Sequence, residues 1–216
     1  MKGRFITFEG PEGSGKTSQI QVLYERLRRQ GREVLCTREP GGTAIGDQIR
    51  AVLHDHANVE MLPTTEILLY SASRAQLVGE FMCPALERGA VVLSDRYAHS
   101  TLAYQGYGLG LDLDTLHTIT SFATGGLQPD LIICLDLSVE EGLRRKRVAF
   151  EAGESEWNRI DARELAFHKR VHAGYQEMAN RNPDRWVVVD ALRPFDEVAA
   201  EVFHHVKQVL ARGPGR

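Results

Sequence analysis

Gly10-Pro11-Glu12-Gly13-Ser14-Gly15-Lys16-Thr17 sets three glycines, a lysine and a hydroxyl at fixed spacing. The run fits Gly, four free positions, then Gly-Lys-Ser/Thr, the P-loop pattern. Glycines at 13 and 15 let successive backbone N–H groups turn toward one concave point, where the N-terminus of a following helix adds its positive end. Phosphate is the ligand such a concavity fits. Lys16 is placed to reach the outer β and γ oxygens of a nucleoside triphosphate, and the Thr17 hydroxyl to hold Mg²⁺. The apolar run Phe5-Ile6-Thr7-Phe8 before the loop and a helical pattern from about Ser18 supply the strand and helix that the motif needs.

Asp95-Arg96 closes another apolar run. There an acid can bind Mg²⁺ directly or through water, and an arginine can stabilise charge on a moving phosphoryl group; a strand-end ion pair is the plainer alternative. Arg144-Arg145-Lys146-Arg147, with Arg159 across a polar stretch, offers further positive charge. Four successive helical residues cannot share a face, so Arg144 with Arg147, or Arg145 with a residue beyond, can converge on a nucleotide, while Lys146 reads as solvated. His168 and His172 stand at i and i+4, but no third metal ligand accompanies them, and they read as solvated, as do His54, His56, His204 and His205. Trp157 and Trp186 read as packing residues.

The elements that position these groups alternate. Strands are expected at 33–37, 90–94, 131–136 and 186–190 in addition to 5–8, and helices from Ser18 to Gly31, at 44–53, 64–88, 113–124, from 139, at 161–181 and from 194. Pro84 should bend or open the long helix. On that helix Tyr70, Arg74, Leu77 and Phe81 share one face and Ile67, Ser71, Val78 and Met82 the next. Either one face meets a subunit partner or both pack within the monomer. Gly106-Tyr107-Gly108-Leu109-Gly110 reads as a turn-rich stretch and 151–158 as a mobile flap, within a lid of about 144–160. Five buried strands alternating with helices predict an α/β fold, a five-stranded parallel sheet covered on both faces.

With 216 residues, 43% hydrophobic and 25% charged, the chain suits one domain, expected over 1–212 with a frayed tail at 213–216. A net charge of −3 gives no global footprint for nucleic acid. No leader-like segment precedes Phe5 and no apolar run approaches the roughly 20 residues that span a bilayer. Three scattered cysteines suit a reducing compartment, so a cytoplasmic protein without a membrane partner is expected.

Taken together, Phe8-Glu9-Gly10 with the P-loop, Thr37-Arg38-Glu39-Pro40-Gly41-Gly42-Thr43, Ser73-Arg74-Ala75-Gln76, Asp95-Arg96-Tyr97 and Ser100-Thr101-Leu102-Ala103-Tyr104-Gln105-Gly106 resemble the bacterial thymidylate kinases over nearly the whole chain. The resemblance implies a nucleoside monophosphate kinase fold, transfer of the ATP γ-phosphoryl to thymidine 5′-monophosphate (dTMP) for dTTP synthesis, Mg²⁺ as cofactor and a homodimer. It implies that Arg38 grips the acceptor phosphate, that Pro40 is cis, and that Arg74 meets a thymine carbonyl. Tyr70 stands where many relatives stack a phenylalanine on the base. Ser100 and Gln105 flank that base, and Tyr104 crowds the sugar 2′ position. Arg96 bridges the two nucleotides' phosphates with Asp95 near Mg²⁺, Glu12 faces the acceptor sugar, and Arg145 or Arg147 supplies catalytic charge from the lid. A nucleotide-dependent switch and a kinase for another monophosphate are the competing readings; against the switch, the chain lacks an Asn-Lys-x-Asp guanine signature.

Overall fold

The computed structural model describes residues 3–212; the expected frayed tail at 213–216 lies outside the described residues. In chain order the elements are β1 (Arg4–Glu9), α1 (Lys16–Arg29), β2 (Val34–Arg38), α2 (Ala44–His54), α3 (Pro63–Leu77), the π-helical π1 (Val78–Met82) and α4 (Cys83–Glu87). There follow β3 (Val91–Asp95), α5 (Ala98–Thr101), the π-helical π2 (Leu102–Gly108), α6 (Leu113–Thr124), β4 (Leu131–Asp136), α7 (Val139–Glu151), α8 (Leu165–Arg181), β5 (Trp186–Asp190) and α9 (Phe195–Ala211).

The five strands form one parallel sheet in the order β2-β3-β1-β4-β5, with Ile6 opposite both Leu93 and Leu131. Alternation along β1 divides the core. Ile6 and Phe8 face Ile20, Leu23 and Leu27 of α1 and Val198, Val202 and Val206 of α9. Phe5 lies on the opposite face with Leu77, Met82 and Leu86, while Ile132 and Cys134 of β4 pack there with Phe167, Val171 and Tyr175 of α8. Each Leu or Ile buried in this way contributes about 1.5–3 kcal/mol. The chain runs to one side of β1 for β2 and β3 and to the other for β4 and β5, so a crevice opens above the C-terminal end of β1.

Local chemistry explains the helix ends that border the crevice. Thr43 accepts from the Gly46 N–H and starts α2, and Ser138 accepts from the Glu141 N–H and starts α7. The first turn of α1 carries no acid, which leaves its positive end for an anionic ligand.

The long helix expected from 64 to 88 opens near Pro84 as anticipated: π1 interrupts it just before the proline, which has no N–H for the preceding turn, and the wider coil absorbs the defect. Of the two faces read along 64–88, Ile67, Ser71, Arg74 and Leu77 of α3 and Val78 and Met82 of π1 are buried within the chain, while Tyr70 and Phe81 are partly buried, which favours the alternative of packing within the monomer. Other expectations need correcting. The stretch from Leu102 to Gly108 is helical rather than turn-rich. Its glycines permit close packing, since a Cβ on Gly106 would stand 2.5 Å from Leu113 and one on Gly108 2.6 Å from Phe167. Helix α8 starts at Leu165, not 161, because Asp161 instead accepts from the Asn158 N–H in a turn. Among the described residues no helix is long and apolar enough to cross a membrane.

Candidate active site

β1 ends at Glu9, and the backbone then turns with positive φ at Gly10, Gly13 and Gly15. A Cβ on Gly13 would stand 2.1 Å from the Gly142 carbonyl, and one on Gly142 2.3 Å from the Glu12 carbonyl. The glycine loop and α7 therefore touch backbone to backbone. The Lys16 ammonium donates to the carbonyls of Gly10 (3.2 Å) and Pro11 (2.8 Å) and to the Ser14 hydroxyl (3.2 Å). Burial, reinforced by the charge of Arg96 and opposed by Glu12, pulls Lys16 down to about 8.

The Thr17 hydroxyl donates to Asp95 at 2.6 Å, which joins the start of α1 to the end of β3. These oxygens fit a small hard cation that keeps water and phosphate as its other ligands. Among the described residues no group of three or more His, Cys, Asp or Glu could hold a metal ion by itself. Asp95 does not pair with Arg96; the ion pair made at this strand end runs from Arg96 to Glu12. Arg96 instead donates to Glu12 (2.7 Å), to the Gly10 carbonyl (3.2 Å) and to Tyr175 (3.2 Å). It holds φ at +73°, the single non-glycine residue in the left-handed region among the described residues, a strain that ordered neighbours must offset.

Those neighbours converge on buried acids. Glu12 also accepts from the Tyr104 hydroxyl at 2.8 Å. Burial favours its protonated form, but Arg96 and Lys16 outweigh that and hold the carboxyl well below the usual carboxylate range. Beneath it, fully buried Glu9 accepts from the Tyr97 N–H (2.9 Å) and from the Ser100 (2.7 Å) and Tyr175 (2.9 Å) hydroxyls. Burial pushes Glu9 up to about 7 against the pull of those hydrogen bonds and of Arg96.

Glu12 through Thr17, Asp95, Arg96 and Arg145 line the same cavity of about 420 Å³ as Arg38, Tyr70, Arg74, Ser100, Tyr104 and Gln105. Arg38 is half-exposed and pairs with Asp47 at 3.1 Å. The Glu39–Pro40 peptide is cis, as the resemblance implied. Arg74 is buried against Glu39 (2.7 Å), Thr101 (3.1 Å) and the Tyr97 carbonyl (3.2 Å), which leaves an Nη1 hydrogen for the cavity. Gly10 and Pro11 contribute their carbonyls to Lys16 from behind the loop.

The lid divides differently from expectation. Arg145 enters the cavity with Ala149, the i and i+4 alternative, and is anchored by Glu141 (2.7 Å) and the Ala191 carbonyl (3.1 Å). Arg147 does not join them; its guanidinium lies 5.1 Å from the Trp157 ring centre in a separate depression shared with Arg144. Lys146, read as solvated, instead lines the cavity and stands 3.8 Å from Asp161. Sequence reasoning also missed Arg50 and took His54 as solvated; both line the cavity from α2 and bind Glu156 of the flap at 2.9 and 3.2 Å. Their i, i+4 spacing after the Arg38–Thr43 loop was the available signal. His168 is buried rather than solvated, and His172 pairs with Asp136 at 2.6 Å.

One end of the cavity thus carries a phosphate cradle, the other a rim of aromatic and amide groups suited to a planar base, with Arg96 and Glu12 between them. A family model described as thymidylate kinase matches residues 8–202. The chain is 52% identical to the thymidylate kinase of Roseiflexus castenholzii, over 97% of this chain and 95% of that one. It is 53% identical to that of a Roseiflexus species (96% and 95%) and 51% identical to that of Deinococcus radiodurans (96% and 98%). With the sheet, the glycine loop and the two-ended cavity in agreement with these matches, the chain belongs to the thymidylate kinase family.

Proposed function

We infer that the protein transfers the γ-phosphoryl group of ATP to dTMP, giving dTDP and ADP, a step of dTTP synthesis. The observation that carries this reading is the shared cavity, which is lined by Lys16 and the glycine loop together with Tyr70, Arg74, Arg96 and Gln105. A dTMP phosphate oxygen attacks the γ-phosphorus as the bond to the β–γ bridging oxygen breaks; that oxygen leaves on ADP. The attacking oxygen is already ionised, so the site works by alignment and charge neutralisation rather than by a general base. Lys16 holds the outer phosphates, Arg96 spans the two nucleotides, and Arg145 adds charge from α7. Arg38 takes the acceptor phosphate, Tyr70 stacks on the base, and Glu12, with Tyr104 fixed against it, faces the sugar. Thr17 and Asp95 would hold Mg²⁺, which neutralises phosphate charge when bound.

The lid closes over ATP and excludes water, the protein acts in the cytoplasm, and it works as a homodimer. Arg147 is kept out of the reacting centre by Trp157 and takes no part in this reading. The test is ADP formation with and without dTMP: release is expected only with the acceptor, and Lys16→Ala should lower turnover by about a hundredfold or more. ADP release independent of dTMP favours a nucleotide switch and overturns the reading.

A further inference from the structure

Glu66 is 1% exposed and lies on α3 behind the cavity wall, yet three side chains converge on it. Its Oε1 accepts from the Gln105 amide nitrogen at 2.8 Å. Its Oε2 accepts from Arg159 at 2.5 Å and from Arg163 at 3.1 Å, both from the segment between α7 and α8. A carboxylate paired with two guanidinium groups has only acceptors to offer, so the Gln105 amide is obliged to turn its nitrogen toward Glu66.

That constraint reaches the cavity, because Gln105 lines it while only 2% exposed. With one Nε2 hydrogen committed, the amide can present its oxygen as acceptor and its second hydrogen as donor. Side by side, these complement a ring N–H next to a carbonyl, the imide edge of thymine or uracil. A cytosine edge carries the reverse pattern, a ring acceptor next to an amino donor, and asks for the opposite amide orientation. The flip would set the Gln105 oxygen against the Glu66 oxygen in a buried site, two acceptors facing one another without a proton.

We propose that Glu66 is a positioning residue for base selection: it locks the Gln105 amide in the orientation that accepts an imide base and rejects an aminopyrimidine. The inference rests on the reading of the cavity as the dTMP site. Arg159 and Arg163 supply the charge that keeps Glu66 an acceptor, which ties base selection to the placement of the segment that carries them. Thymine and uracil present the same edge to this device.

The test is kcat/KM for dTMP and for dCMP in wild type, Glu66→Gln, Glu66→Asp, Gln105→Leu and the Glu66→Gln/Gln105→Leu double variant. A glutamine at 66 can offer either end to Gln105, so the preference for dTMP over dCMP should fall by about ten- to a hundredfold, through a raised KM for dTMP and a gain with dCMP. Glu66→Asp keeps the charge for the arginines but withdraws the carboxylate by about 1.5 Å, and should shift the ratio in the same direction even if Glu66→Gln fails to fold. In the Gln105→Leu background, Glu66→Gln should change the ratio by less than about twofold. Equal losses with both substrates, or an undiminished effect without Gln105, would reduce Glu66 to a structural role and overturn the proposal. A wild type active on dTMP but indifferent to dCMP replacement would also overturn it, whereas a wild type inactive on dTMP would remove the functional reading first.

Discussion

Lys16 and Arg96 lie in one buried site, where burial and the charge of Arg96 make the Lys16 ammonium more costly and Glu12 offsets both. The consequence is a lysine held near 8 rather than above 10 before a phosphate reaches it. Protonated Lys16 binds phosphate, and as pH rises through about 8 that form is lost. The kcat/KM for ATP, which reports free protein, should therefore fall with an apparent pKa near 8, while kcat persists to higher pH because bound phosphate restores the proton. A kcat/KM profile flat to about pH 9.5 would contradict the assignment. Glycine spacing made Lys16 and Thr17 legible in the sequence, because their roles follow from local backbone geometry. Lys146 was misread, and the choice between Arg145 and Arg147 left open, for the opposite reason: which side of α7 meets the cavity depends on contact of Gly142 with Glu12 and of Trp157 with Arg147, neither of which is local in sequence.

Among the elements, the strands were legible nearly to the residue: β1, β3 and β4 are buried on both faces and leave continuous apolar runs, while the edge strands β2 and β5, expected to be buried, are partly exposed but keep β-branched or apolar runs. The two π-helical segments were not legible. A single extra residue per turn leaves almost the same apolar spacing, and in π2 the glycines that suggest turns instead admit Leu113 and Phe167. The segment from 152 to 164, which takes in most of the expected flap, lacks regular structure but is clasped by Arg50 and His54 of α2 through Glu156 and, just beyond α2, by the His56 contact with the Trp157 carbonyl, a connection that no local pattern announces. With most of both expected faces buried, α3 presents one large exposed apolar residue, Leu68 (55% exposed), and neighbouring α6 presents Phe122 (90% exposed). If dimerisation uses this side, sedimentation should give a dimer mass for wild type and a monomer mass for Phe122→Glu, with both proteins folded. A monomeric wild type at micromolar concentration would end the dimer proposal.

At the scale of the whole molecule, four of the five strands deliver chemistry to the same edge of the sheet. β1 leads into the glycine loop, β2 into Arg38 and cis-Pro40, and β3 into Asp95 and Arg96, while β5 leads to the Ala191 carbonyl that anchors Arg145. The sheet order places β3 beside β1, which is why Thr17 meets Asp95 and Glu12 meets Arg96 although about 80 residues separate each pair. The central claim is that this edge joins ATP to one particular acceptor. Its most direct test is the initial rate of ADP formation from ATP with dTMP, dUMP, UMP, AMP and dCMP offered in turn. The account predicts the highest kcat/KM with dTMP, poor turnover with AMP and dCMP, and almost no ADP without an acceptor. Equal or better turnover with AMP or dCMP would contradict it.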